Sequence, residues 1–170
     1  MKLVSNLFAV AALIVCVGAQ AKDLTAQDIV EIQTLYAKYN QVLDAGKAEA
    51  WADTFTPDGV FNKTNVGRDA LITFAKNFYD QGGGKRRHWN TNLVLTGTSD
   101  GADGSVYLTL WDVGNRPATI LVTGIYEDKL VKTKDGWRFK TRVVNPDTPR
   151  APTAATTPTA PAAPTGVAAH

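Results

Sequence analysis

Four strand-like segments follow one another in the second half of the chain, and this run constrains the fold more than any other feature. Short turn sequences rich in Gly, Asp and Asn separate the segments, so consecutive strands are expected to pair as antiparallel hairpins. Gly124, inside the third segment, is predicted to mark a bulge or a bend. The segments cover residues 86–98, 105–113, 118–131 and 137–144.

The first half of the chain has helical periodicity instead. Thr25 and Asp28 are spaced as a capping box, and apolar residues then recur every three or four positions until Gly46 ends the helix. The stripe consists of Ile29, Ile32, Leu35, Tyr36, Tyr39 and Leu43. Two more helices are predicted at residues 48–55 and 68–79, with a turn at 56–59 and a brief strand at 60–61. We therefore expect an α+β fold, a curved sheet with three helices on one face.

Both ends of the chain have compositions that differ from the centre. Residues 1–21 resemble a signal peptide, with Lys2, an apolar run at 7–17 and a small-residue cleavage site ending at Ala21. An uncleaved anchor, or lipid attachment at Cys16, is the alternative. Residues 146–170 are rich in Pro, Ala and Thr and are predicted to be a disordered tail. The expected domain is residues 22–145 of a periplasmic or secreted protein, with no membrane association after signal cleavage.

Several function classes lack their usual signals. The formal net charge is +2, and Lys85, Arg86 and Arg87 are not followed by a stripe of basic and aromatic residues, so no nucleic-acid partner is expected. The three glycines at 82–84 follow a helix, which is not the context of a phosphate-binding loop. One histidine and one carboxylate do not make a metal-ligand set, so no metal site is predicted.

The candidate chemistry centres on His88, the only histidine ahead of the tail. Imidazole is the side chain that titrates nearest to neutral pH. Strand alternation predicts that His88, Asn90 and Asn92 share one face. Asp44 ends the first helix, where a carboxylate opposes the helix dipole, which makes it a second candidate. Simpler roles remain open, namely a solvated helix-end Asp, a structural His, and an Asn that holds a neighbouring loop.

With this order of elements, the chain resembles the SnoaL-like group of the nuclear transport factor 2-like (NTF2-like) superfamily. The residues that carry the resemblance are 35–39 (LYAKY), 44–47 (DAGK), 51–61 (WADTFTPDGVF), 67–68 (GR), 87–92 (RHWNTN), 124–128 (GIYED) and 135–139 (DGWRF). The superfamily includes scytalone dehydratase, ketosteroid isomerase, limonene epoxide hydrolase, polyketide cyclases and many non-enzymatic modules. The resemblance implies a cone-shaped fold that opens between sheet and helices, with no cofactor.

The resemblance also implies roles for particular residues. Asp44 and His88 resemble the acid–base pair of scytalone dehydratase, whose second histidine has no counterpart here. Tyr39 resembles the oxyanion-binding tyrosine of the isomerase, but the isomerase's base Asp would fall near Lys63, where no Asp stands. A small apolar or aromatic molecule is the expected ligand, and its binding residues are predicted to be Tyr39, Trp51, Phe55, Phe61, Phe74, Asn92 and Tyr126.

Two functions remain open from the sequence. One is a cofactor-independent lyase or isomerase that uses Asp44 and His88, and the other is a non-catalytic ligand-binding or interaction module of the same fold. A homodimer is expected by analogy with the superfamily. Trp137 and Phe139 alternate with basic residues, so they belong either to the core or to a dimer face on the sheet.

Overall fold

The computed structural model describes residues 22–148, which form three helices and one six-stranded sheet. The predicted signal peptide and the tail beyond residue 148 lie outside the described residues. Within the described part, no helix is both long and apolar enough to cross a membrane. The elements are α1 (Ala26–Asp44), α2 (Ala48–Ala52), β1 (Phe55–Phe61), β2 (Asn65–Val66), α3 (Arg68–Gly82), β3 (Arg86–Gly97), β4 (Gly101–Asp112), β5 (Thr119–Thr133) and β6 (Gly136–Pro146).

The sheet has the strand order β2-β1-β6-β5-β4-β3. The last four strands form successive antiparallel hairpins, and β1 joins the edge of β6 in parallel. The sheet is curved, and its inner face and the helices enclose the core, in which Ile32, Tyr39, Leu71 and Phe139 are fully buried. The predicted α+β class, a curved sheet with three helices, is confirmed, and the parallel pairing of β1 with β6 makes the sheet mixed.

The capping box at the start of α1 is confirmed, and it also ties the helix to the sheet. Thr25 Oγ1 accepts from the Asp28 N–H at 3.1 Å, and Asp28 Oδ2 accepts from the Thr25 N–H at 3.1 Å. The other carboxylate oxygen accepts from Trp137 Nε1 at 3.0 Å and from Lys132 Nζ at 2.8 Å. Ile29, which the periodicity placed in the apolar stripe, is instead 38% exposed.

The second helix is shorter than predicted because the last residues of the predicted helix pair with the sheet. The Phe139 N–H donates to the Thr54 carbonyl at 3.0 Å, and Phe55 pairs with Phe139 in the parallel ladder. Residues 56–59, predicted as a turn, therefore lie within β1, where the register shifts between Phe55 and Val60. The third helix runs three residues beyond its predicted end, to Gly82.

Single-residue bulges set which side chains face the core. In β3 the register shifts between Thr91 and Val94, and Asn92 adopts a positive φ of 59°. In β5 the extra residue is Leu121 rather than Gly124. Gly124 instead allows β5 and β6 to approach closely, because a Cβ at this position would overlap the carbonyl oxygen of Asn145 on the neighbouring strand.

The two aromatic residues of β6 that could have formed a dimer face belong to the core. Trp137 and Phe139 are 5% and 0% exposed. The outward face of the sheet carries other aromatic side chains, with Trp89 packed against Trp111 at 4.9 Å between ring centroids. Trp89 is 58% exposed, so the outer face of the sheet carries exposed aromatic surface at this point.

Candidate active site

Asp44 and His88 are held together where the end of α1 meets the start of β3. His88 Nδ1 lies 2.6 Å from Asp44 Oδ1, and the His88 backbone N–H donates to Asp44 Oδ2 at 2.9 Å. The side chains are 4% and 9% exposed. Both carboxylate oxygens therefore bind one residue that is 44 positions away in sequence. This contact offsets the unfavourable position of Asp44 at the negative end of the helix dipole.

The contact also orients the imidazole. A carboxylate accepts hydrogen bonds, so the proton on neutral His88 lies on Nδ1 and leaves Nε2 as the free ring nitrogen. The Phe78 ring packs against the imidazole with centroids 5.4 Å apart, which adds an apolar support. His88 lines the large cavity between the sheet and the helices.

The cavity has a volume of about 810 Å³. This lies in the range of pockets that bind small organic molecules. Its walls come from α1, β1, α3 and the inner faces of β3 to β6, and most of them are apolar. Among the described residues that line it, none is Asp or Glu, and the ionisable side chains are Tyr39, Arg86, His88 and Tyr126.

Two phenols present polar groups within this apolar lining. Tyr39 and Tyr126 are almost completely buried, and the Tyr39 hydroxyl has no well-aligned hydrogen bond within residues 22–148. Burial raises the pKa of Tyr39 well above its usual value, and burial also raises that of Tyr126 to about 12. Both are therefore neutral near pH 7 and suited to donate a hydrogen bond rather than to remove a proton.

A buried ion pair supports these phenols from behind. Arg142 Nε and Nη2 donate to the Asp128 carboxylate at 2.7 and 2.8 Å, and both side chains are fully buried. The guanidinium carbon of Arg142 lies 4.3 Å from the ring centroid of Tyr39 and 4.1 Å from that of Tyr126. Tyr36 also donates its hydroxyl proton to Asp128. This network fixes both rings against the sheet.

The structure brings together some of the sequence-predicted residues. Tyr39, Phe61, Phe74, His88 and Tyr126 line the cavity. Asp44 lies behind His88 and contacts it directly.

Two predicted binding residues, Trp51 and Phe55, do not line the cavity. Both are in the core, 0% and 4% exposed, with ring centroids 5.1 Å apart. The Trp51 ring packs behind Tyr39 at 5.3 Å and behind Phe74 at 5.5 Å. Trp51 in α2 and Phe55 at the start of β1 lie one layer further out, so they support lining residues instead of contacting a ligand.

Asn92 is also outside the cavity. It is exposed and lies at the β3 bulge. The extra residue reverses the strand alternation, so Leu93 and Leu95 take the inward side beyond the bulge and Asn92 does not share the inner face with His88. Strand alternation without a bulge predicts the wrong face for it.

Sequence reasoning missed Arg86, Phe78, Asp128 and Arg142. Arg86 and Phe78 flank His88. The sequence contained a signal for Arg86, because a residue two positions before His88 shares its strand face. Asp128 follows Tyr126 by two positions, and a charge at an inward position of a strand suggests a buried partner. Arg142 could not be placed, since the Lys140 bulge in β6 reverses its face.

No three His, Cys, Asp or Glu side chains of residues 22–148 lie close enough together to hold a metal ion. The ionisable side chains of the cavity lining are one imidazole, one guanidinium and two phenols, all of which can form hydrogen bonds.

The chain is similar to several known proteins. It is 28% identical over 142 residues to the small subunit of anthranilate 1,2-dioxygenase from Burkholderia cepacia, which covers 71% of this chain and 87% of that protein. A solved structure from Catenulispora acidiphila in complex with S-DNPA has 30% identity and a TM-score of 0.66, covering 72% of this chain and 96% of that one. An NTF2-like protein with a cystatin-like fold from Novosphingobium aromaticivorans has 21% identity and a TM-score of 0.67, covering 74% and 85%.

The first of these relatives is named as a subunit of a dioxygenase, the second was solved in complex with S-DNPA, and the third supports the fold alone. The family model described as the SnoaL-like domain matches residues 24–143, which include every element from α1 to most of β6. The chain belongs to the SnoaL-like domain family, on the NTF2-like fold.

Proposed function

We propose that this protein binds a small, largely aromatic molecule in the cavity and catalyses a cofactor-independent proton transfer on it, as in a dehydration, isomerisation or cyclisation. The observation that carries the proposal is the Asp44–His88 contact of 2.6 Å on the wall of a cavity of about 810 Å³. A histidine buried in an apolar pocket and bound to a carboxylate has the arrangement of a general base with its orienting group.

In this proposal, Nε2 of His88 takes a proton from a carbon next to a carbonyl group. Asp44 lies behind the ring, so the cation formed on the imidazole faces a carboxylate instead of standing alone in a buried site. The electron pair left on the substrate moves to its carbonyl oxygen. The same proton then returns to another carbon in an isomerisation, or to a leaving hydroxyl in a dehydration.

Tyr39 and Tyr126 would stabilise the charge on that oxygen. Tyr39 supports this role because its hydroxyl has no well-aligned partner among the described residues. The hydroxyl has almost no exposed surface, so a ligand oxygen would reach it after a small local movement. Donors already in place, in a site with little water, stabilise a developing oxyanion more than they would in solution. The apolar walls, including Phe61, Phe74 and Phe78, suit the aromatic part of a substrate.

The experiment follows proton removal without knowledge of the natural substrate. An aromatic ketone such as 1-tetralone is incubated with the protein in D₂O, and deuterium uptake next to the carbonyl is followed by NMR. The wild-type protein should accelerate exchange, and His88→Gln should reduce the acceleration by about 100- to 10,000-fold. His170→Gln, the same substitution at the other histidine of the sequence, is the matched control. Equal exchange rates in wild type and His88→Gln would exclude His88 as the base.

The alternative is a ligand-binding or interaction module of the same fold. It is favoured by the 28% identity to a protein named as the small subunit of a larger enzyme. In this case 1-tetralone or a similar aromatic molecule would bind in the cavity, no exchange would be catalysed, and binding would survive both Asp44→Asn and His88→Gln.

We further propose, from the N-terminal sequence alone, that the protein acts after export.

A further inference from the structure

Arg86 is the one permanently charged side chain among the described residues that line the cavity. It lies on the same face of β3 as His88, two residues earlier, which places the two Cα atoms about 7 Å apart. The guanidinium carbon sits 4.7 Å from the centre of the Phe78 ring, and the same ring packs on His88. Cation, aromatic ring and imidazole therefore follow one another along the wall.

The Arg86 guanidinium is anchored but not neutralised within the described residues. One of its N–H groups donates to the Phe78 carbonyl at 3.1 Å, and this is its only hydrogen bond within residues 22–148. None of their carboxylates lies within 4.0 Å of it. Its cross-strand neighbour is Asp112, whose Oδ1 instead accepts from the Gly114 N–H at 2.8 Å.

We propose that the ligand of this cavity carries a carboxylate, which Arg86 binds while the aromatic part occupies the interior beside His88. This inference rests on the proposed function, since it names the class of substrate that the same site takes. A planar guanidinium with free N–H groups matches the geometry of a carboxylate. An anion would gain a counter-charge here without meeting an acidic side chain in the lining. A neutral ligand would leave the cation unpaired.

Specificity follows from where the charge lies. The carboxylate would contact Arg86 at one side of His88, so an acidic aromatic molecule enters in one orientation. The carbon that loses its proton is then presented to Nε2 of His88, and the carbonyl to the hydroxyls of Tyr39 and Tyr126. A carboxylate bound in this way takes no part in the reaction and serves to position the substrate.

The test compares 2-naphthoate with 2-naphthamide, which have similar shape but differ in charge. Dissociation constants are measured by calorimetry for the wild-type protein, Arg86→Gln, Arg86→Lys and Arg87→Gln. Arg87 is the matched control, because it is the next residue, lies exposed on the outer face and carries the same charge. Wild type and Arg87→Gln should bind naphthoate about tenfold to a hundredfold more tightly than naphthamide. Arg86→Gln should abolish the preference, and Arg86→Lys should retain part of it.

The outcomes separate this inference from the proposed function. If both probes bind the wild-type protein equally, the carboxylate assignment is wrong, while an aromatic-binding cavity stands. Equal loss of the preference in Arg86→Gln and Arg87→Gln would also overturn it, because the effect would then come from overall charge. If neither probe binds, both the inference and the aromatic ligand of the proposed function fail.

Discussion

Replacing Asp44 with Asn tests the orientation of His88 directly. In the wild-type protein one carboxylate oxygen accepts from His88 Nδ1 and the other from the His88 N–H, at 2.6 and 2.9 Å. An Asn side chain has nearly the same shape but offers one oxygen and one NH₂ group. Only one of the two hydrogen bonds can therefore survive unchanged.

The structure indicates which bond is kept. If the Asn oxygen accepted from Nδ1–H, its NH₂ group would face the backbone N–H of His88, and two buried donors would oppose each other. This arrangement costs about 1–3 kcal/mol relative to its alternative. In the alternative, the oxygen accepts from the backbone N–H and the NH₂ group donates to Nδ1. The proton of neutral His88 then moves to Nε2, and the preference corresponds to about 5- to 150-fold.

The Asp44→Asn protein should therefore fold with the opposite tautomer of His88. Nε2, the nitrogen proposed as the base, would carry a proton and could not accept one, so catalysed deuterium exchange should fall about 100- to 10,000-fold. Nitrogen-15 NMR of histidine-labelled protein, recorded on the neutral form of the ring, identifies the protonated nitrogen. Loss of a charge-assisted hydrogen bond should also lower the free energy of unfolding by about 1.5–3 kcal/mol.

Asp53→Asn is the control, because Asp53 is 55% exposed and pairs with Arg68 on the surface. It should change neither the tautomer nor the exchange rate, and it should alter stability by less than about 1 kcal/mol. The reasoning would be refuted if Asp44→Asn kept the proton on Nδ1, or if the tautomer changed and exchange stayed at the wild-type rate.

Two further predictions concern the charges that hold the sheet and the helices. Asp128→Asn leaves the buried cation of Arg142 without its counter-charge, so urea unfolding should show a loss of about 3–5 kcal/mol, and a loss below about 1 kcal/mol would contradict this. Hydrogen bonding from Lys132 holds the pKa of Asp28 in the folded protein well below its ordinary value of 3.8. The ionised carboxylate therefore stabilises the fold above pH 3.8. This stabilisation is lost as the pH falls from 3.8 through the pKa of the folded state. Unfolding free energies of wild type and Asp28→Asn should therefore converge in acid, and a constant difference between them would show that ionisation of Asp28 is not involved.

Local patterns in the sequence were sufficient for the architecture. The capping box at Thr25 and the helical spacing behind it are short-range features, so they predict α1 without knowledge of any partner. The hairpin order of β3 to β6 follows in the same way from strand periodicity and turn residues. His88 stood out as the only histidine ahead of the tail, and Asp44 as a carboxylate at the end of a helix. The family resemblance then paired the two residues.

What the local patterns do not contain is the exact register of the sheet. A bulge adds one residue to a strand and reverses the face of every residue beyond it. This reversal moves Asn92 out of the predicted site and turns Arg142 into the core. Such a shift depends on pairing with the neighbouring strand, which a single segment does not encode.

The sequence by itself determined the order of helices and strands and identified His88 and Asp44 as the residues to examine. Only the tertiary structure decided that they meet, because docking of the end of α1 against the start of β3 joins positions 44 residues apart. It also decided that Trp51 and Phe55 support the cavity from behind while Arg86 reaches it. These outcomes depend on long-range packing, in which the position of each side chain is set by elements distant in the chain.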